Sequence, residues 1–261
     1  MLRPIPILFI FLALLANPLP IQAATVINGV EVLTEVEELT DPTHSAVIVV
    51  DMQNEWVSTQ GGVVRDDREA PPDISKHEIV PSYAEQVKRM QRFLKAVRKK
   101  GIPVLYCEMI LHDKSGRLLR TAAECWSNRN SPTWTPHIVE GTWGLQTVKE
   151  LAPQRGEVLV RKIHGDAFAG TLLEDELRKH SVKNLILTGT ATGGCVWATC
   201  LGALERGYYP VWVRDCVDRN DEEFALMEGK FPFFNSEEII ETWGETKDGG
   251  GEPEKEELEL E

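Results

Sequence analysis

Residues 184–216, NLILTGTATGGCVWATCLGALERGYYPVWVRDC, constrain the fold of this chain more than any other stretch. Leu185-Ile186-Leu187 is an apolar run of the kind that forms a buried strand. A glycine-rich turn runs from Gly189 to Gly194, and Cys195 stands at its end. Val196, Thr199, Cys200, Ala203 and Leu204 then recur at helical spacing until Gly207 stops the pattern. Tyr209 to Val213 is a second apolar strand, ending in Asp215. Two strands joined through a helix pair in parallel, because a parallel pair needs a crossover and cannot use a tight hairpin. The cysteine therefore falls where turn meets helix. A helix N-terminus carries unpaired N–H groups and partial positive charge, so a thiol there is expected to ionise more readily, and the thiolate is the nucleophilic form. The plainer reading is a small cysteine packed under a helix.

The rest of the chain repeats the alternation. Ala46 to Val50 is a continuous apolar run that ends in Asp51 and reads as a buried parallel strand. Pro81 to Lys100 has helical periodicity (Val87, Met90, Phe93, Leu94, Val97), with Ser82 as N-cap and Gly101 as stop. Val104 to Tyr106 and Val158 to Val160 are further strands, the latter followed by Arg161-Lys162. Thr171 caps a helix over Leu172 to Lys179, Glu222 to Lys230 is another helix, and Phe234 to Trp243 closes the domain. Near the start, Val26 to Val32 reads as a small hairpin on an Asn28-Gly29 turn. Alternating strands and helices predict an α/β fold, a doubly wound, mostly parallel sheet with helices on both faces. Residues 58–79 and 109–143 read as long loops. The second holds Trp126, Trp134 and Trp143 with Arg117, Arg120 and Arg129, a content that points to a lid or a subunit contact.

The two ends lie outside this pattern. Arg3, the apolar run Ile7 to Ala16, the break at Pro18 and Pro20 and the small pair Ala23-Ala24 predict a signal peptide over residues 1–23. That apolar run is about half the roughly 20 residues a membrane span needs, so no span is expected in the mature chain, which is expected to be secreted or periplasmic. Residues 245–261 carry eight acidic residues against two lysines and read as a disordered acidic tail. The formal charge is −13, from 28 basic and 41 acidic residues, which argues against nucleic acid as a partner. Five cysteines are an odd number, so at least one thiol of an exported chain stays free.

Strand ends converge on one crevice in a doubly wound sheet. Asp51, Lys162 and Cys195 stand at such ends, and a carboxylate, an ammonium and a thiol together can make an acyl-transfer nucleophile with its base. The alternative is a structural ion pair beside an inert cysteine. Several stretches sharpen the choice: SAVIVVDMQNEW (45–56), GTWG (141–144), EVLVRKIHGDAFAGT (157–171) and residues 187–215. In these the chain resembles the isochorismatase-like cysteine hydrolases, which include nicotinamidase, N-carbamoylsarcosine amidase and ureidoacrylate amidohydrolase. The resemblance implies a Rossmann-like fold in a single domain over residues 24–244. It implies an Asp-Lys-Cys triad at Asp51, Lys162 and Cys195, a cis peptide between Thr190 and Ala191, and an oxyanion hole formed by the Ala191 and Cys195 amides. Gln53, Trp56, Phe168 and Trp197, close in sequence to the triad, are candidate substrate contacts, although any of the aromatics could be core.

Two departures stand out. Nicotinamidases carry an Asp-x-His metal motif, whereas this chain has Glu108-Met109-Ile110 after its second strand, and His77, His112 and His137 are scattered and expected to face solvent. No metal and no other cofactor is therefore expected. Cys200 and Cys216 stand where the family usually has alanine, which suggests a disulfide between them or two small buried thiols. The function expected is hydrolysis of a C–N bond in a small amide or carbamoyl compound through a cysteine thioester. Isochorismatase-type vinyl-ether hydrolysis and a non-catalytic binding or scaffold protein are the alternatives. The resemblance also implies a homo-oligomer.

Overall fold

The computed structural model describes residues 25–65, 70–127, 138–218, 221–227 and 229–244. The signal peptide expected at 1–23 and the acidic tail expected at 245–261 lie outside these residues. The chain divides into two compact units, one ending at Leu33 and one beginning at Thr34. In the first, β1 (Thr25–Ile27) pairs antiparallel with β2 (Val30–Val32), Thr25 opposite Val32. Asn28 and Gly29 both take positive φ, 51° and 81°, the backbone a two-residue type I′ turn requires.

The second unit runs α1 (Val36–Leu39), β3 (Ser45–Val50), α2 (Asn54–Val57), α3 (Ala84–Lys99) and β4 (Val104–Met109). It continues with α4 (Ala122–Ser127), β5 (Val158–Lys162), α5 (Leu173–Lys179), β6 (Asn184–Gly189) and α6 (Trp197–Glu205). β7 (Tyr209–Val217), α7 (Asp221–Met227), β8 (Phe233–Phe234) and α8 (Ser236–Thr242) complete it. The six strands β3 to β8 form one parallel sheet in the order β5-β4-β3-β6-β7-β8. The chain builds outward from β3 to β5, then returns to the other side of β3 and builds outward again. The reversal lies between β3 and β6, and the carboxyl ends of strands at such a switch point line a ligand crevice.

Every residue of β3, β4 and β6 is buried, which is why their centres, Ala46–Val50, Val104–Cys107 and Leu185–Leu187, are apolar runs that do not alternate with polar residues, and the polar residues Ser45, Glu108, Asn184 and Thr188 stand toward the strand ends. On one face, Ile48, Val50, Leu105, Leu187 and Trp212 pack with Leu173 and Leu177 of α5, Val196, Cys200 and Ala203 around α6, and Phe224 of α7. On the other lie α3 and α8. The α3 stripe Val87, Met90, Phe93, Leu94, Val97 is fully buried, each side chain contributing roughly 1.5–3 kcal/mol of apolar burial. Phe93 stacks on Trp243, ring centroids 5.9 Å apart. The helix starts later than Ser82 because Pro81–Tyr83 forms a 3-10 turn first.

Three expectations need correcting. No Cys200–Cys216 disulfide forms, and all five cysteines are free. Cys200 lies in the layer under α6, where its Sγ accepts a hydrogen bond from Trp212 Nε1 at 3.3 Å, while Cys216 points to the opposite side, against Ser236 of α8. The loop over 109–143 is not wholly irregular, because α4 lies inside it, with a capping box in which Thr121 N donates to Glu124 and Glu124 N donates to Thr121 Oγ1. His77 and His112 do not face solvent. The His77 side chain is 3 % exposed between Ser58 and Glu150, and His112 is buried on bridges to Leu118 and Val139. His137 lies outside the described residues.

Candidate active site

Asp51 follows the last residue of β3 with φ at 50°, a left-handed turn that aspartate tolerates better than most residues. Its amide donates to Cys107 O at 2.8 Å, and its carboxylate is buried at the β3–β6 switch. Lys162 ends β5, two strands away. Its long side chain spans β4 and its Nζ donates to Asp51 Oδ2 at 2.8 Å, with a second bond to His164 O at 3.2 Å. Both side chains are almost wholly withdrawn from water, at 0 % and 2 % exposure. Asp51 Oδ1 is buried with no donor at hydrogen-bonding geometry.

Cys195 reaches the same place from β6. Gly189 leaves the strand with φ at 111°, and a Cβ there would lie 2.0 Å from Val50 O, so only glycine lets the chain turn so close to β3. The Thr190–Ala191 peptide is cis, as the resemblance implied. Thr192 to Val196 make a single π-type turn that leads into α6. That turn is held from outside: Thr192 N and Oγ1 donate to Asp218 Oδ1 at 2.7 and 3.0 Å, and Gly193 N donates to Glu223 Oε2 at 2.6 Å. Gly194 N and Val196 N both donate to Ala191 O, at 3.0 and 3.2 Å. Half-buried Cys195 thus sits on a clamped turn and not on a free helix terminus.

A cavity of about 320 Å³ opens onto these groups. Asp51, Cys195 and Ala191 line it, while Lys162 stands behind Asp51 and does not. Met109, Leu111, Ile138 and Trp56 make it mostly apolar, and Trp56 also donates from Nε1 to Asp51 O at 2.6 Å. Of the four candidate substrate contacts only Trp56 reaches the cavity. Gln53 is fully buried and its amide serves backbone: Nε2 donates to Met109 O and Leu145 O, and Oε1 accepts from Met109 N. Phe168 is core, stacked on Tyr208 at 5.9 Å under the Arg206 guanidinium. Trp197 packs edge-on against Phe231. Tyr83, whose hydroxyl lies 3.3 Å from Thr190 Oγ1, is a lining residue that sequence reasoning missed, and Arg120, read from sequence only as part of the cationic content of its loop, also lines the cavity.

The electrostatics run against the thiolate expected from sequence. Burial pushes the Cys195 thiol up to about 12, the Asp51 charge pushes it further the same way, and Lys162 only partly opposes them. Burial also raises Asp51 above its usual 3.8, against the pull of Lys162 and of the thiol. For Lys162 burial works toward a lower value, but the charges of Asp51 and Cys195 outweigh it and the ammonium is held more firmly than usual. The directions describe a carboxylate and an ammonium beside a neutral thiol, groups of the kinds that general acid–base and nucleophilic chemistry use. Among the described residues no group of three or more His, Cys, Asp or Glu is placed to hold a metal ion. Glu108, where nicotinamidases begin their metal motif, instead accepts from Thr147 N and Oγ1 at 2.9 and 3.0 Å.

A family model described as the isochorismatase domain matches residues 45–229. The chain belongs to the isochorismatase family. It is a hydrolase of that family, and its sheet and crossover helices are the family's α/β fold. The chain is 28 % identical over 191 residues to a ureidoacrylate amidohydrolase, RutB, of Agrobacterium fabrum, covering 70 % of this chain and 79 % of the relative. It is 29 % identical over 198 residues to the RutB of an Enterobacter species, covering 73 % and 82 %. Among solved structures it is similar to a cysteine hydrolase from Pseudomonas syringae pv. phaseolicola (TM-score 0.62, 23 % identity, 77 % of this chain and 92 % of that one). It is also similar to an N-carbamoylsarcosine amidase from Thermoplasma acidophilum (TM-score 0.55, 23 % identity, 74 % and 96 %). No helix among the described residues is long and apolar enough to cross a membrane.

Proposed function

We propose that this hydrolase cleaves the C–N bond of a small amide or carbamoyl compound through a thioester on Cys195. The observation that carries the reading is the buried Asp51–Lys162 pair, 2.8 Å apart, beneath a cavity that Cys195 also lines. Vinyl-ether hydrolysis needs no thiol there. Asp51 takes the thiol proton as sulfur attacks the carbonyl carbon, and the amides of Ala191 and Cys195 hold the resulting oxyanion. Asp51 then returns the proton to the leaving nitrogen, and ammonia or an amine departs. Water, deprotonated by the same carboxylate, attacks the thioester, the acid leaves, and Cys195 recovers its proton. Lys162 keeps Asp51 ionised in a site whose burial favours the neutral acid. The two amidohydrolase relatives named above support the choice of bond.

The test is a screen of small amides and carbamoyl compounds for ammonia release, repeated with Cys195→Ala. The variant is expected to lose roughly a thousand-fold or more in kcat and to trap no acyl-enzyme by mass. Full activity in the variant, or release of pyruvate from isochorismate by both proteins, would overturn the thioester in favour of vinyl-ether chemistry.

A further inference from the structure

The turn that carries Cys195 is gripped at its start by residues outside the Asp51, Lys162 and Cys195 set. Tyr83 closes the 3-10 turn Pro81–Tyr83, which leads directly into α3. It lines the cavity beside Thr190, Ala191 and Cys195, and its hydroxyl lies 3.3 Å from Thr190 Oγ1. Among the described residues that hydroxyl is the hydrogen-bond partner of Thr190 Oγ1, in a residue only 4 % exposed. One turn further along, Gln86 is buried, and its Nε2 donates to Gly189 O at 2.9 Å and to Cys216 O at 3.2 Å. The pairing of β6 with β7 shifts register between Leu187 and Gly189, and the Gln86 amide bridges the two strands at that break. The start of α3 thus holds Gly189 and Thr190 in succession, and Ala191 is the next residue. The base of this grip is firm, because Val87, Met90, Phe93, Leu94 and Val97 bury the helix against the sheet. The chain before it is tied down as well, with Val80 N donating to Val57 O at 2.9 Å. Burial raises the Tyr83 phenol above its usual 10.0, and the Thr190 bond opposes it only in part, so the hydroxyl keeps its proton near neutrality. A donor to an oxyanion acts only where it is fixed before the charge develops, and a displacement of about 1 Å can cost on the order of a hundredfold in rate.

We infer that Tyr83 is a positioning residue for acyl transfer, acting through the Thr190 hydroxyl to hold the Ala191 amide where the oxyanion forms. The inference rests on the thioester reading, and it concerns the oxyanion and not the reactivity of the thiol. Two reagents separate these. With iodoacetamide, the Cys195 sulfur displaces iodide at a saturated carbon, the thiol proton is lost, and no oxyanion forms. With p-nitrophenyl acetate, the sulfur adds to the carbonyl carbon and an oxyanion forms. Its collapse breaks the C–O bond, releases p-nitrophenolate and leaves an acetyl thioester, and the thiol proton passes to Asp51. Only the second reaction calls on the Ala191 amide.

Tyr83→Phe keeps the ring at the cavity wall and removes only the hydroxyl. Its burst of p-nitrophenolate, with the acetyl group located on Cys195 by peptide mass, is expected to slow about tenfold or more, while alkylation of Cys195 by iodoacetamide stays within about twofold of wild type. Thr190→Val removes the other half of the contact and should slow acylation to a similar extent. The double variant should be no slower than either single one, because all three lack the same bond. Melting curves confirm that each protein is folded. An unchanged burst in Tyr83→Phe overturns the inference. So does equal slowing with both reagents, which would mean that Tyr83 governs access to the thiol. Losses that multiply in the double variant also overturn it, since the two hydroxyls would then act separately. If wild-type Cys195 is alkylated but forms no acetyl thioester, the thioester reading fails and the inference with it, whereas failure confined to the variants leaves that reading standing.

Discussion

At the scale of single residues, the site turns on where one proton rests. Burial and the neighbouring carboxylate both hold it on sulfur, at about 12, and burial raises the carboxylate as well. The base must be ionised to accept a proton. Activity is therefore expected to be full above the Asp51 pKa and to disappear as pH falls through it, at an acid limb above the ordinary 3.8. No limb from a low-pKa thiol should appear near neutrality. Asp51→Asn removes the charge and the acceptor that raise the thiol, so it should lower the Cys195 pKa while abolishing turnover. Lys162→Met should move the thiol the other way. Iodoacetamide labelling of Cys195 against pH in the three proteins checks both signs, and a wild-type labelling pKa well below the free-thiol value of about 8.5 would show a preformed thiolate and contradict this account. Sequence could place the three groups at strand ends but not their protonation, because position beside a helix argues for a lower pKa while the depth of burial, which decides it, is a property of the packed sheet. The same gap explains Gln53 and Trp56. Both follow Asp51 within five residues in the sequence, yet one turns inward to bond the backbone of β4 and the other forms the cavity wall.

At the scale of elements, the strands were legible because a parallel strand covered on both faces must be apolar throughout, and Ala46–Val50 and Leu185–Leu187 are. Their order was not legible, since nothing local to β6 says that it lies beside β3 and away from β5. The short helix α4 carried a readable mark, Thr121 with Glu124 three residues on, that the arginine and tryptophan content of its loop obscured. Least legible was how the turn bearing Cys195 is held. Asp218 lies just past β7 and 23 residues beyond Cys195, yet its carboxylate and carbonyl take up both the amide and the hydroxyl of Thr192. Removing that grip should let the turn shift and, on the proposed mechanism, misplace the Ala191 and Cys195 amides. Asp218→Ala is expected to lower kcat about ten- to a hundredfold with a smaller change in KM, whereas Asp218→Asn, which keeps an acceptor oxygen, should retain much of the rate. Steady-state kinetics of both variants, with melting curves to confirm folding, separates positioning from simple destabilisation. Equal losses in the two would mean that charge, and not the held geometry, is what Asp218 supplies.

At the scale of the whole molecule, the five thiols define what the fold depends on. An odd number of cysteines required only one to be free. The structure leaves all five free, because the sheet separates the layer holding Cys200 from the side to which Cys216 points, and Cys107 is sealed between strands and helices. The second unit is then held without any disulfide. A disulfide there would contribute about 2–4 kcal/mol, and its loss would lower Tm by roughly 4–16 °C in a domain of this size. Reductant is therefore expected to leave Tm unchanged to within about 1 °C. The thiols should also titrate in order. Cys125 and Cys195 are partly exposed and should react in the native protein, Cys195 slowly because its thiol resists ionisation, while Cys107, Cys200 and Cys216 should wait for unfolding. Denatured, unreduced protein should titrate as five thiols. Three thiols, together with a fall of several degrees in Tm under reductant, would mean that one pair is bridged and that the two faces of the sheet are connected in a way this packing does not allow.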